Sequence, residues 1–145
     1  MSIKAKIINS KNLSLENELK GLIKNKNLEV GFFEVSKYEN GVYVASVAGF
    51  NEYGTAKIPP RPFFRNAIAK NSNKWNDILA NELRNSVDVE LAYNRVGEVA
   101  KGDIVESIMQ TNTPPNSPLT IAKKRSSKPL VDTSFMRSSV NYKVK

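Results

Sequence analysis

The sequence predicts a single α+β domain over residues 1–145: a small antiparallel or mixed sheet, two long helices packed on one face, a long C-terminal loop and a final strand. Three observations predict this class. Two long segments carry apolar residues at helical spacing, and shorter segments toward both ends show the alternation or β-branched content of strands. The length of 145 residues, with 40% hydrophobic and 25% charged residues, is typical of one soluble globular domain.

The first third of the chain predicts strand, helix, strand and short helix. Residues 2–9 partly alternate apolar and basic side chains, and a three-turn amphipathic helix follows with Ser14 as its N-cap. Residues 28–35 are rich in β-branched and aromatic side chains and predict a strand. Residues 41–54 fit either a strand or a helix, and we favour a helix that ends at Gly54.

Two long helices are predicted in the middle of the chain. The first has Pro62 as its first residue and an apolar stripe at Phe64, Ile68, Trp75, Leu79 and Leu83. We expect Trp75 in the core, although an exposed Trp75 would be an interface anchor. The second helix has its stripe at Ala92, Val96, Ala100, Ile104 and Ile108.

Two glycines interrupt the second long helix. Gly97 and Gly102 each cost up to ~1 kcal/mol relative to alanine there. The simplest explanation is close packing against a neighbour such as the preceding helix, and a bend is the alternative. Beyond this helix, residues 111–129 contain four prolines and four basic residues without periodicity, which predicts an extended, partly mobile loop. Val140, Tyr142 and Val144 then alternate with polar residues and predict the final strand.

The stretch "NEYGTAKIPPRPFFR", residues 51–65, predicts a rigid corner. Its three prolines restrict the chain to extended conformations, and Phe63 and Phe64 are expected to anchor the following helix to the sheet. The charged residues of this stretch leave two alternatives open. Glu52, Arg61 and Arg65 either pair within the chain or reach another subunit.

Composition and charge limit the possible functions. The chain has no histidine and no cysteine, which excludes imidazole acid–base catalysis, thiolate nucleophiles and the usual zinc sites. No nucleotide-binding or paired-carboxylate motif is present either, so we predict a protein that is not an enzyme, with no cofactor and no small-molecule substrate. The net charge of +8 is concentrated at the end of the chain, since residues 114–145 hold seven basic residues and one acidic residue. Such a segment attracts polyanions such as DNA, or remains a solvated tail.

Two separated motifs resemble a known family. "NEYGTAKIPPRPFFRNAI" followed by "PPNSPLTIAKKRSSKPLVDTSFMRSSVNYKV" is similar to the tail-completion and neck proteins, or virion morphogenesis proteins, of tailed bacteriophages and prophages. The first motif matches at residues 51–55, Ile58, Pro59 and residues 61–65. The second matches at residues 114–116, Thr120, Ile121, Lys123 and residues 128–133. Ser134 departs from the pattern, because the family usually has glycine there; if a positive φ is needed, Ser134 must be strained.

The resemblance implies a structural virion protein that completes the tail or joins head to tail. It would work as a homo-oligomeric ring, expected to be a hexamer, beside head–tail connector or tail-tube proteins, located in the virion neck or tail end and in the host cytoplasm during assembly. No membrane contact is expected, since no apolar run approaches the ~20 residues of a spanning helix. The alternative from another class is a basic protein that binds nucleic acid without sequence preference.

Two sets of residues are candidates for these roles. The candidates for subunit contacts are Glu52, Tyr53, Arg61, Phe63, Arg65, Pro114, Pro115, Thr120 and Ile121. The candidates for facing genomic DNA in the lumen of a ring are Lys123, Lys124, Arg125 and Lys128, because charge without base readout is sufficient for such a contact. These lysines and the arginine could equally belong to a solvated loop. Asp132 and Thr133 are expected to form a turn rather than a site of chemistry.

Overall fold

The structure, a computed structural model, describes residues 20–33, 35–86, 88–124 and 134–145. In chain order, the elements are β1 (Leu28–Phe32), α1 (Val44–Tyr53), α2 (Phe63–Asn85), α3 (Val89–Gln110), α4 (Pro118–Lys124), α5 (Phe135–Ser138) and β2 (Val140–Val144). Residues 20–24 are helical, as predicted for the end of the first helix. The strand predicted at residues 2–9, the N-cap predicted at Ser14 and the turn predicted at Asp132 and Thr133 lie outside the described residues.

The two strands form an antiparallel pair. Its register runs from Leu28 opposite Val144 to Phe32 opposite Val140. The strand predicted over residues 28–35 is three residues shorter, because β2 begins at Val140 and offers no partner beyond Phe32. This sheet and the two long packed helices confirm the α+β class.

The core lies between the sheet and helix α3. Leu28, Val30 and Val140 are buried on one face of the sheet, where both strands pack against α3. Helix α2 in turn packs along α3. The start of α2 reaches the sheet through Phe63, whose ring meets Phe32 edge to face with centroids 6.3 Å apart.

The apolar stripe of α2 differs from the prediction in its first turns. Trp75, Leu79 and Leu83 are buried as predicted, but Phe63 and Ala67 are the buried residues of the first turns, whereas Phe64 and Ile68 are half-buried. A row with steps of four residues through 63, 67, 75, 79 and 83 faces α3, and the neighbouring positions 64 and 68 fall beside it.

Helix α2 begins one residue later than predicted. Pro62 is the N-cap, not the first helical residue, because its ψ of 62° is far from helical. The N–H of Phe63 donates to the carbonyl of Arg61 at 2.8 Å, which closes an inverse γ-turn around Pro62.

Helix α3 has the predicted buried stripe and starts at a side-chain cap. Asp88 accepts a hydrogen bond from the Leu91 N–H at 2.9 Å. Close packing at Gly97 is confirmed, but the neighbour is β2 and not α2, since a Cβ on Gly97 would lie 2.3 Å from the ring of Tyr142. At Gly102 an added Cβ would meet nothing within 4 Å, so no described part of this chain packs closely there.

The predicted loop over residues 111–129 contains a helix. Helix α4 starts at Pro118, and Ser117 acts as its N-cap: the Ser117 hydroxyl lies 2.8 Å from the Thr120 hydroxyl and 3.3 Å from the Thr120 N–H. The prediction of irregular structure is therefore wrong here, because serine followed by proline is a favourable helix start that the lack of periodicity concealed.

Among the described parts of the chain, no helix combines the length and the apolar character needed to cross a bilayer.

Candidate functional site

The corner predicted at residues 51–65 folds back on helix α1. Gly54 ends the helix with a φ of 77°, and its N–H donates to the Phe50 carbonyl. A Cβ on Gly54 would lie 2.9 Å from the Ile58 carbonyl oxygen, so both the backbone angle and the space require glycine. Two residues before the helix that follows, the Arg61 N–H donates to the Asn51 carbonyl at 2.6 Å. The helix predicted to end at Gly54 is confirmed.

Glu52 joins the end of α1 to the start of α2. Its side chain is buried, and its carboxylate accepts hydrogen bonds from the Phe64 N–H at 2.8 Å and the Arg65 N–H at 3.1 Å. These N–H groups belong to the first turn of α2 and have no partner within that helix. The Arg65 side chain donates to the same carboxylate through Nε at 2.8 Å and to the Glu52 carbonyl at 3.0 Å. The carboxylate therefore caps α2 from a neighbouring helix, where the helix dipole favours a negative charge.

Arg61 joins the same corner to the segment before α4. Arg61 is 5% exposed, and its guanidinium donates to the carbonyl oxygens of Pro114 at 2.8 Å and Pro115 at 3.2 Å. Weaker contacts at 3.4 Å reach the amide oxygens of Asn51 and Asn116. Burial lowers the pKa of Arg61, although an arginine remains protonated under all ordinary conditions. The fork of donors in a guanidinium suits this arrangement of several carbonyl oxygens.

These contacts form one connected unit, which we call the corner junction: Asn51, Glu52, Arg61, Arg65 and the 114–116 segment. The sequence left open whether Glu52, Arg61 and Arg65 pair within the chain or reach another subunit. In the structure, all three have partners within the subunit.

The nine candidates for subunit contacts fall into two groups. Glu52, Arg61 and Phe63 are buried inside the subunit at 4%, 5% and 1% exposure, so the fold uses them internally. The others reach the surface to different extents: Tyr53, Arg65, Pro115 and Ile121 are exposed, and Pro114 and Thr120 are half-buried. Contact with another subunit stays a prediction for this second group.

The candidates for facing DNA are described only in part. Lys123 is exposed in the last turn of α4. Lys124 ends that helix, and its side chain lies outside the described part of the structure, as do Arg125 and Lys128. Lys123 is thus the member of this set whose exposure the structure gives.

Two further expectations concern Ser134 and Trp75. Ser134 has a φ of 63°, in the left-handed region, at the position where the resembled family has glycine. Trp75 is fully buried and donates through Nε1 to Asp103 at 2.6 Å, so it belongs to the core and is not an interface anchor.

An open groove of about 1220 Å³ adjoins the corner junction, between β1, α1 and the start of α2. Its walls are mainly aromatic and small apolar side chains, including Phe32, Phe33, Phe64 and Ala48, and Tyr53 stands at its edge. Sequence reasoning missed this surface. A signal was present, because residues 42–51 contain no charged residue although α1 is only partly buried.

The described residues hold no group of three or more histidine, cysteine, aspartate or glutamate side chains arranged for a metal ion. Comparison of the chain with protein-family models, with curated proteins and with solved structures found no match.

Proposed function

We propose that this chain is a structural virion protein that completes the tail or joins head to tail by assembling into a ring. Its support is the pair of motifs shared with the tail-completion and neck proteins. These motifs begin about sixty residues apart along the chain, near Asn51 and Pro114. The proposal gives the chain a place in the virion neck or tail end, with copies of itself and adjacent connector or tail-tube proteins as partners.

The observation that carries the proposal is the contact between the two motifs. Arg61 of the first motif donates to the carbonyl oxygens of Pro114 and Pro115 of the second. Glu52, also in the first motif, caps the helix that the same motif begins. A chance resemblance in two separate stretches would not require their matching residues to meet in space. Their meeting favours one structural unit behind the shared pattern.

The chemistry of this unit suits a scaffold. Its charged groups are used in hydrogen bonds to backbone atoms and to each other, which fixes the angle between α1 and α2 and the position of the segment before α4. A ring needs subunits of fixed shape, because a small angular error repeats at every contact and prevents closure.

The experiment is a virion assembled without this chain, viewed by electron microscopy. We expect full heads and tails that are not joined, or tails that are not completed. Restoration by the native chain and by the conservative variant Lys70→Arg, at an exposed position of α2, controls for expression. Normal virions in the absence of the chain would overturn the proposal.

The second candidate function is sequence-independent binding of nucleic acid, favoured by the charge of +6 over residues 114–145 and by the exposure of Lys123. It predicts DNA affinity for the free subunit that falls steeply with salt concentration. Replacing Lys123, Lys124 and Arg125 by glutamine separates the two functions. If the chain functions by binding DNA, this variant loses DNA affinity and biological function together. If the structural proposal holds, virion assembly largely survives in the variant.

A further inference from the structure

The outward face of helix α1 is apolar and exposed. We define it by Tyr43, Phe50 and Tyr53, which are 43%, 48% and 72% exposed. Their spacing of seven and three residues puts them on one side of the helix. A helix on a protein surface normally carries charged side chains toward solvent, but this face has none. Its composition is that of a surface covered by another protein.

Basic side chains surround the α1 face. The Lys37 ammonium lies 4.5 Å from the ring centre of Tyr43, and the Arg65 guanidinium, which also pairs with the Glu52 carboxylate, lies 5.2 Å from that of Tyr53. Beside the adjoining groove, Lys143 lies 4.2 Å from the ring centre of Phe33. An apolar centre with a basic rim is complementary to an apolar surface that carries acidic groups.

The exposed side of helix α3 has this complementary character. It consists of Leu91, Arg95, Glu98, Gly102, Glu106 and Met109, which recur at the spacing of one helix side. Leu91 and Met109 are 43% and 40% exposed, and Arg95 is already paired with Glu82. This side carries two acidic residues, Glu98 and Glu106, against the one basic residue Arg95, so its net charge is negative.

Gly102 adds an independent observation. It lies in the middle of this side, and an added Cβ would meet nothing within 4 Å. Glycine inside a helix is unfavourable relative to alanine. The ring of Tyr142 explains Gly97, whereas no described residue packs closely enough to explain Gly102. Without a side chain, this position lets a bulky group of a partner approach the helix backbone.

We propose that a second copy of this chain seats the exposed side of its α3 against the α1 face of its neighbour. Helix α1 packs on β1 and α2, while α3 packs on α2, both strands and α5, so each subunit offers both surfaces outward. The contact is therefore head-to-tail, and it builds a closed ring when the rotation per subunit permits. This inference rests on the proposed function, for which it supplies the surfaces that join the subunits.

Disulfide trapping tests the contact directly, because the chain has no cysteine. A Tyr53→Cys chain is mixed with a Gly102→Cys chain under mild oxidation. We expect a covalent dimer between the two, well above that from Tyr53→Cys mixed with Ala69→Cys, which puts the thiol on an exposed position of α2. Equal trapping in the two mixtures, or none in either, overturns the inference.

Association of the full chain, followed by sedimentation velocity, gives a second test. Gly102→Gln and Phe50→Gln should each weaken self-association by about tenfold or more, as expected for residues near the centre of an interface. Ala69→Gln serves as the matched control and should leave association unchanged. Melting curves show whether each variant is folded, and Gly102→Gln should melt no lower than the native chain. A native chain that stays monomeric at every concentration, or folded variants that associate normally, would contradict the contact.

The outcomes separate this inference from the proposed function. Virions that incorporate the Gly102→Gln and Phe50→Gln chains normally would overturn the α1–α3 contact and leave the structural role in place. Normal virions without the chain would overturn the structural role, even if trapping showed that the contact forms.

Discussion

The corner junction and the α1 face are opposite in character, although both include the end of helix α1. At the junction, Glu52 and Arg61 are charged and buried, and their atoms are bound within the subunit. On the α1 face, Phe50 and Tyr53 are apolar and exposed. Buried charge needs a complete set of partners, whereas exposed apolar surface gains free energy only when something covers it. The junction therefore holds the shape of one subunit, and we propose that the face acts between subunits.

The largest effect is expected at Arg61. Arg61→Met should lower the free energy of unfolding by about 3 kcal/mol, because Arg61 is buried and its loss removes two charge-assisted hydrogen bonds to the carbonyls of Pro114 and Pro115. Urea unfolding measures this, and Arg84→Met at an exposed position of α2 is the control, expected within about 0.5 kcal/mol of the native chain. A loss as small as that of the control would mean that the junction does not hold the subunit together.

The two glycines of α3 repeat the contrast between inside and outside. Gly97→Ala should destabilise the subunit by about 1–3 kcal/mol, because the new methyl group collides with the Tyr142 ring. Gly102→Ala should stabilise it by up to about 1 kcal/mol, since alanine favours the helix and meets no neighbour. Thermal unfolding of both variants in one buffer compares them. A change in stability of the same sign in both variants would contradict the difference between the two glycines.

Glu52 tests the cap at the junction. Glu52→Gln keeps the shape but removes the negative charge from the start of α2, and should cost about 1 kcal/mol, in the range of other helix caps. Glu39→Gln, at an exposed position before α1, is the matched control for loss of one carboxylate. Chemical denaturation at neutral pH measures the free energy of unfolding of both variants. Equal values for the two would show that the cap is dispensable.

The smallest effect belongs to Glu29, at the edge of the groove beside the α1 face. Its pKa lies below the ordinary value, chiefly because the Lys145 ammonium donates to its carboxylate at 2.9 Å. A carboxylate with a lowered pKa stabilises the folded state above its ordinary pKa, and that contribution disappears as the pH falls through the folded value. Carboxyl chemical shifts measured by NMR should show the low pKa, and Lys145→Met should return it toward the ordinary value. An unchanged titration curve in that variant would assign the shift to another cause.

Much of the fold followed from the sequence because periodic burial leaves a direct pattern. The buried row of α3 at steps of four, from Ala92 to Ile108, was predicted correctly, as was the end of α1 at Gly54. Helix α4 was missed because a seven-residue helix is too short to show a period, and its Ser117–Pro118 start was the available sign. The buried stripe predicted for the first turns of α2 was wrong by one position, because the adjacent Phe63 and Phe64 are each compatible with an apolar stripe.

The sequence by itself determined the elements and the residue types that carry the resemblance, since local propensity and spacing act over a few residues. Tertiary structure alone decided which distant residues contact each other. Arg61 donates to Pro114 and Pro115 across more than fifty residues of chain, and Gly97 packs against Tyr142 instead of the preceding helix. No local sequence pattern could specify either contact. Tertiary structure also decided that Glu52 and Arg61 are buried while the residues of the α1 face are exposed. Burial depends on the whole packed chain, and spacing along one helix shows only which residues share a side.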